Sequence, residues 1–530
     1  MANVVQSLFQ YFSTAGLPTV LIFVVVLLLS LWMLSSRNPR VNWPPGPLCF
    51  PVVGCLPQMM ISGRRRQPTD LLPWYDTYGD IMHVKFGEQH AIMLGTYELI
   101  QEAFVKNAAT VSARPTWIYR LSRIVGKDGA GVIFKSGHAW KELRRFTLSS
   151  LRDLGLGRKS LQERIQDEAR YLVQNIEDEN GKAFCPTGRI GKAVSNIISI
   201  IVFGARNDYN DTPEMLPVLE QAIRTGQGIL SLTNLSRILP MKKVFALIDK
   251  LYSLIRQEVE RHRQSFDPAD IRDFIDLYIK VTQDGHDPEV YTEWNVFRII
   301  VDLYLAGTDT TANTLRWSLV HMVNHPDVQK RVQQEIDQVI GQDRVAKMED
   351  KERMPFTEAT ILEVFRMSPV IGQDRVAKME DKERMPFTEA TILEVFRMSP
   401  VAPFGVPHAT SETTNLAGYT IPKGTMILGD LYRVLHDKNN FEDPYKFKPE
   451  RWLDGDGKVI KSDKLIPFSM GPRVCLGKGL AEMEAFIFFT TLFQNFTFKV
   501  PEGEKPPDGV KGLNTFTFTP YPYNVCAVRR

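Results

Sequence analysis

The chain has 530 residues, 44% hydrophobic and 24% charged, which excludes a disordered polymer and allows one large domain or two to three ordinary ones. With 64 basic against 61 acidic residues the net charge is +3, a balance that gives no drive towards nucleic acid. The five cysteines, Cys49, Cys55, Cys185, Cys475 and Cys526, are odd in number and irregularly spaced, which argues against a disulfide framework and fits a reducing compartment.

In chain order, residues 1–36 read as a membrane anchor. Leu17–Leu34 carries no charge, and at about 1.5 Å per residue its length is near the minimum that spans a bilayer core. No Lys or Arg precedes it, whereas Arg37, Arg40 and Arg64 to Arg66 follow, so the bulk of the chain is expected on the cytoplasmic side. A cleaved signal peptide fits less well, because the basic residues stand after the apolar run and no small-residue cleavage site is evident. Pro44–Pro47 (PPGP) is expected to be a stiff hinge between the anchor and the remaining domain, 37–530. Asp80–Leu94 reads as a hairpin turning near Gly87, and Thr96–Asn107 as a helix. Most of Ala139–Ile340 is helical, with polar breaks at Asn207–Thr212 and Gln283–Asp287. Within it, Asn295–Asn324 is a long apolar helix, and the charged helix Asp327–Ile340, stopped by Gly341, is expected to face solvent. The last third mixes short strands with one helix, Gly479–Asn495. The expected fold is mainly α with a small β portion, one large domain behind an N-terminal transmembrane helix.

Val339–Pro369 and Val370–Pro400 are identical, a perfect tandem duplication of 31 residues; one copy fewer would leave 499. Solenoids need at least about three copies and usually drift apart, so the pair reads as a very recent in-frame duplication or a misassembled gene sequence.

Four motifs carry chemistry. In Phe468-Ser-Met-Gly471-Pro-Arg473-Val-Cys475-Leu-Gly477, Gly471 and Gly477 are expected to let the backbone turn tightly. Cys475 is a candidate thiolate ligand to a haem iron, stabilised by the N-terminus of the helix that follows, and Arg473 a partner for a haem propionate. The plain alternative is a buried structural cysteine. On the long helix, Ala306-Gly307-Thr308-Asp309-Thr310-Thr311 places poor helix formers in mid-helix. Gly307 would leave room for a small ligand, and Thr310 with Asp309 could relay protons to iron-bound dioxygen; the alternative is a kinked core helix with an exposed Asp309. Glu-x-x-Arg occurs twice, as Glu363/Arg366 and Glu394/Arg397, and Arg451 lies in FKPERW; a buried Glu held by two arginines is set against ordinary surface pairs. Trp140 and Arg144, at i and i+4, could both donate to a propionate, or be a packed Trp beside a solvated Arg.

Together these motifs resemble the cytochrome P-450 superfamily in order and rough spacing. The phrases GVIFKSGHAWKELRRFTL, GVPHAT and FSMGPRVCLGKGLAEME are most similar to the animal microsomal family two. The resemblance implies a monooxygenase carrying haem b (iron protoporphyrin IX), with a lipophilic substrate such as a steroid, fatty acid or xenobiotic. It implies electrons from NADPH through a separate NADPH-cytochrome P-450 reductase, cytochrome b5 as a further candidate partner, and the endoplasmic reticulum membrane. Cys475 would be the proximal ligand, and Thr310 and Asp309 the oxygen-activating pair. Trp140, Arg144, His408 and Arg473 would be propionate partners, and Phe468, Gly471 and Gly477 would shape the haem loop. Glu394, Arg397 and Arg451 would form a structural triad. The second copy is preferred for the triad because Arg397 leads directly towards His408, so the excess merely lengthens an upstream connection at about 0.6 kcal/mol per doubling of loop length. Lys127-Asp128 departs from the pattern, since relatives often carry a basic propionate partner there. Lys141, Arg145 and Arg152 could dock a reductase or be a solvated basic face. A haem-thiolate isomerase or peroxygenase, and an inactive relative disabled by the duplication, are the competing readings.

Overall fold

The structure, a computed structural model, describes residues 22–27, 42–50, 53–61, 67–156, 159–209, 217–218, 221, 242–340, 377–514 and 517–530. It is mainly helical with a small sheet portion. Ile22–Leu27 of the expected anchor are helical and exposed; the rest of Leu17–Leu34 lies outside the described residues. Among the described residues no helix is long and apolar enough to cross a membrane.

The hairpin forms as expected. Strand β1, Ile81–Phe86, pairs antiparallel with β2, Gln89–Leu94, and Gly87 supplies the positive φ of +63° that the two-residue turn requires. The short β3, His408–Ala409, and β4, Met426–Gly429, complete a four-stranded sheet in the order β1-β2-β4-β3. A second hairpin near the C-terminus joins β5, Gly512–Asn514, to β6, Phe518–Pro520.

Seven helices position the site: α1, Gly137–Asp153; α2, Lys159–Glu177; α3, Thr187–Phe203; α4, Glu293–Asn324; α5, Pro326–Val339; α6, Pro386–Met398; and α7, Lys478–Asn495. Helix α4 begins where the Thr292 hydroxyl caps Asn295 N and buries most of its residues, so it is the axis of the core. Pro326 opens α5. That helix is not the solvent-facing one expected. Val328, Val332 and Ile336 join the core, and Gln329 and Gln333 donate to the Phe498 and Phe496 carbonyls. Asp327, Lys330 and Arg331 lie on the outer face, while Glu335 is half-buried against the start of α6.

Two further expectations are corrected. The PPGP segment is clamped instead of hinging: Pro45 O accepts from His83 N at 2.9 Å, and a Cβ on Gly46 would overlap the His83 carbonyl. Trp43 stacks on His83 and His90, with ring centroids 4.4 and 4.9 Å away. The Thr96–Asn107 helix changes after Gln101 into a π-turn, Glu102–Lys106. The Cys49 and Cys55 sulfurs meet in one local pair six residues apart, a short-range link and no framework.

Candidate functional site

The Cys475 loop is built backwards from Phe468, whose carbonyl accepts from Cys475 N at 3.0 Å. Phe468 packs edge-on to Phe396 of α6 at 5.4 Å, tying the loop to that helix. Gly471 has φ +74°, and a Cβ there would overlap the Phe104 carbonyl, so only glycine fits. Gly477 differs from expectation. Its φ is −89° and a Cβ would meet nothing within 4 Å, so its place needs no glycine for conformational reasons. Its N–H faces the Cys475 sulfur. Cys475 is exposed by area yet ringed by protein. Burial pushes the thiol pKa up; the Gly477 N–H and the charges of Arg144 and Lys478 pull the other way without overcoming it. A bound cation at the sulfur would act in the same direction as the Gly477 N–H and the two charges, favouring the thiolate.

Above this loop three arginines converge. Arg473 donates to the carbonyls of Ser112, Val132 and Lys135, and its guanidinium lies 3.7 Å over the Trp140 ring. Arg144 donates to Val474 O at 2.7 Å. Arg114 donates to Ile133, Val406 and Pro407 carbonyls. Burial, then repulsion from Arg114 and Arg144, lowers the Arg473 pKa to about 8; burial, then Arg144, lowers that of Arg114 to about 9. His408 is buried against Phe104, its Nδ1–H donating to Val111 O at 3.0 Å, and burial followed by Arg114 drives its pKa far down, so it is neutral. The Trp140 Nε1–H is buried and finds no hydrogen-bond partner among the described residues. A cluster of mutually repelling cations beside an orphaned N–H fits a group bearing carboxylates. With a sulfur ligand alongside, the donor set fits haem with its two propionates.

On α4 the Thr310 hydroxyl donates to Ala306 O at 2.6 Å, the back-bond considered from sequence, and the helix runs on unbroken. Asp309 is half-buried, and its Oδ2 accepts from Thr517 at 2.6 Å. Gly307 does not make room for a ligand: a Cβ there would overlap Ile198 of α3, so the glycine serves a close helix crossing. Asp302, two turns earlier, accepts from Val132 N, Ile133 N and Arg298, fixing the segment that carries the Val132 carbonyl bonded to Arg473.

Glu394 and Arg397 of α6 are fully buried and joined by two bonds of 2.8 Å. Arg451 and Trp452 add bonds of 3.0 and 2.9 Å to the same carboxylate. Glu363 and Arg366 lie outside the described residues. Lys141, Arg145 and Arg152 are exposed on α1.

Sequence reasoning missed Arg114, Thr517 and Trp452. Arg114 left a signal, a single Arg amid small and apolar neighbours in TVSARPTW; Trp452 stands beside the Arg451 that was noticed; Thr517 left none.

A family model described as Cytochrome P450 matches residues 44–375 and 369–527. Cytochrome P450 2J2 of Homo sapiens is 36% identical over 521 residues, 96% of each chain. Cytochrome P450 2J3 of Rattus norvegicus is 37% identical over 509 residues, 94% of this chain and 93% of that one. Cytochrome P450 2D15 of Canis lupus familiaris is 34% identical over 530 residues, 98% and 99%. Matched over nearly its whole length by family and relatives alike, the chain belongs to the cytochrome P450 family and is a haem-thiolate monooxygenase.

Proposed function

We propose that this monooxygenase oxidises a lipophilic small molecule, a steroid, fatty acid or xenobiotic, with electrons passed from NADPH by a separate reductase. The convergence of Cys475, three arginines and the Trp140 N–H supports this reading, because the set suits one large dianionic ligand whose iron takes a thiolate. Haem, when bound through Cys475, supplies the binding and reductive activation of dioxygen. The chain's own residues do the rest. Arg473, Arg144, Trp140, His408 and Arg114 orient the propionate edge. Phe468 and Gly471 hold the loop at its height, and Glu394, Arg397 and Arg451 stiffen α6 behind it. Asp309 takes up and releases protons, and the Thr310 hydroxyl passes them on after leaving its bond to Ala306. Ala306, exposed on α4, is the apolar wall against which substrate lies.

Residues 1–36 anchor the chain in the endoplasmic reticulum membrane with the catalytic part, 37–530, in the cytosol. A reductase, with cytochrome b5 as a second donor, docks on Lys141, Arg145 and Arg152. The test is the reduced carbon monoxide difference spectrum of wild type and Cys475→Ser. Wild type gives a strongly red-shifted band that Cys475→Ser loses; the same band in both removes Cys475 from the iron. Thr310→Ala is expected to keep that band while diverting electrons to hydrogen peroxide. An unchanged product yield per NADPH would show that Thr310 has no part in proton delivery.

A further inference from the structure

The polar groups around Asp309 continue away from Thr310 along one face of α4. Asp309, Asn313 and Arg316 stand at i, i+4 and i+7, so their side chains share that face. Thr517, just before β6, bridges the first two: its hydroxyl donates to Asp309 Oδ2 at 2.6 Å and accepts from Asn313 Nδ2 at 3.2 Å. Asn313 Oδ1 accepts from Arg316 Nη1 at 2.9 Å. Arg316 also donates to Pro520 O at 3.3 Å, and its own carbonyl accepts from the Tyr523 hydroxyl at 2.7 Å. Asn313, Arg316 and Thr517 are all buried.

The direction of the chain follows from donor inventory. An amide N–H occupies a lone pair of the Thr517 oxygen, and the one hydroxyl proton goes to Asp309. Polarity therefore runs from the Arg316 cation through Asn313 and Thr517 to the carboxylate, each bond strengthening the next. The β5–β6 hairpin cannot easily shift along α4. Trp317 Nε1 donates to Phe518 O at 3.0 Å, the two rings stack at 5.0 Å, and a Cβ on Gly512 would come within 3.0 Å of the Trp317 ring.

We infer that Thr517, backed by Asn313 and Arg316, is a positioning residue that orients the Asp309 carboxylate, so that the C-terminal hairpin sets how tightly proton delivery is coupled to substrate oxidation. This rests on the role of Asp309 and Thr310 proposed above. Thr517 acts through Asp309, so its removal should change the acid's behaviour and not the haem loop.

The test compares Thr517→Val with Thr517→Ser in the full-length haem-loaded protein, alongside Asp309→Asn. Asp309 is titrated by infrared difference spectroscopy of its carboxyl band against Asp309→Asn. Loss of a hydrogen bond to the charged form should raise the midpoint by about one pH unit in Thr517→Val and leave it in place in Thr517→Ser. Hydrogen peroxide per NADPH should rise about three- to tenfold in Thr517→Val, within the reach of a single proton-transfer group, and return in Thr517→Ser. A midpoint and a peroxide yield both unmoved in Thr517→Val, while Asp309→Asn uncouples, would overturn the positioning role and leave the proton-delivery reading standing. An Asp309→Asn that does not uncouple would overturn that reading itself. If Thr517→Val fails to fold, Asn313→Ala interrupts the same chain from the other side, and an unmoved Asp309 midpoint there overturns the inference.

Discussion

Arg114, Arg144 and Arg473 spend their hydrogen bonds on main-chain carbonyls while repelling one another, and Trp140 holds a buried donor with no acceptor among the described residues. That arrangement is a cost in the protein by itself and a gain once anionic oxygens are present. Trp140→Phe keeps a ring under Arg473 and deletes the idle N–H together with part of the buried indole. Stability of the haem-free protein should fall by about 1–3 kcal/mol for the lost buried volume, which the haem-release rate is compared against. Haem should leave roughly 10- to 100-fold faster, the value of a hydrogen bond to a charged group. Transfer of haem to an excess of an apo-globin measures the rate; equal rates would mean Trp140 is a packing residue. At Glu394 two arginines, Trp452 N–H and Lys448 N–H meet one carboxylate. Glu394→Gln leaves two buried cations short of a counter-charge and should cost about 3–5 kcal/mol. Glu363→Gln, the same substitution in the first copy, should cost less than about 0.5 kcal/mol, because the slot is already filled. Urea unfolding of both variants decides which copy builds the core, and equal losses would refute the assignment to the second.

Among the elements, periodicity identified most of the helices but not always their partners. The charge pattern of α5 was read as a solvated helix, yet its inner face packs on α7 and the strand beside it, because charges on one face do not forbid burial of the other. The PPGP segment was read as a hinge, since proline stiffness is local and the clamp by Trp43, His83 and His90 is long-range. The helix Leu431–Leu435 shows an element whose cap titrates. Asp430 Oδ1 accepts from Arg433 N at 2.9 Å, and burial raises its carboxyl pKa to about 7, with Tyr75 and Arg433 pulling it partly back. The folded-state value lies above the unfolded one, so the folded chain holds a proton that the unfolded chain releases. This contribution is full below the unfolded pKa of about 3.9 and is lost as pH rises towards about 7. Asp430→Asn keeps the cap and removes the titration. The difference in unfolding free energy between wild type and Asp430→Asn should shift against wild type from pH 5 to pH 7.5; a difference constant across that range would contradict it.

At the scale of the whole molecule the duplication is the main disturbance. The described parts of the second copy are integrated. Gln166 of α2 donates to Ala377 O at 2.6 Å, Met379 N donates to Gln162, and Glu335 of α5 accepts from Phe387 N and Thr388 N at the start of α6. Ile340 is buried in the same core and Ala377 is bonded to α2, so the described residues on both sides of 341–376 are tied down. Lengthening the chain between two fixed points costs little by loop closure, about 0.6 kcal/mol per doubling. The full chain and a version lacking Val339–Pro369 should therefore both give the red-shifted carbon monoxide band. A band in the shorter chain alone would mean that the insertion blocks haem capture or folding.

Local sequence was enough to point to the candidate groups whose chemistry is written within a few residues. These are Cys475 in its glycine-bearing loop, the Thr310–Asp309 pair on an apolar helix, the hairpin at Gly87 and the family to which they add up. Each depends on spacing within a dozen residues, where backbone geometry leaves little choice. Tertiary structure alone decided what depends on which distant segments meet: Arg114 and Thr517 at the site, Ile198 against Gly307, the clamp on Trp43, and the burial of Glu394 and Arg397 of the second copy. The two copies have the same residue chemistry, so local sequence does not choose between them and only the length of chain on either side does.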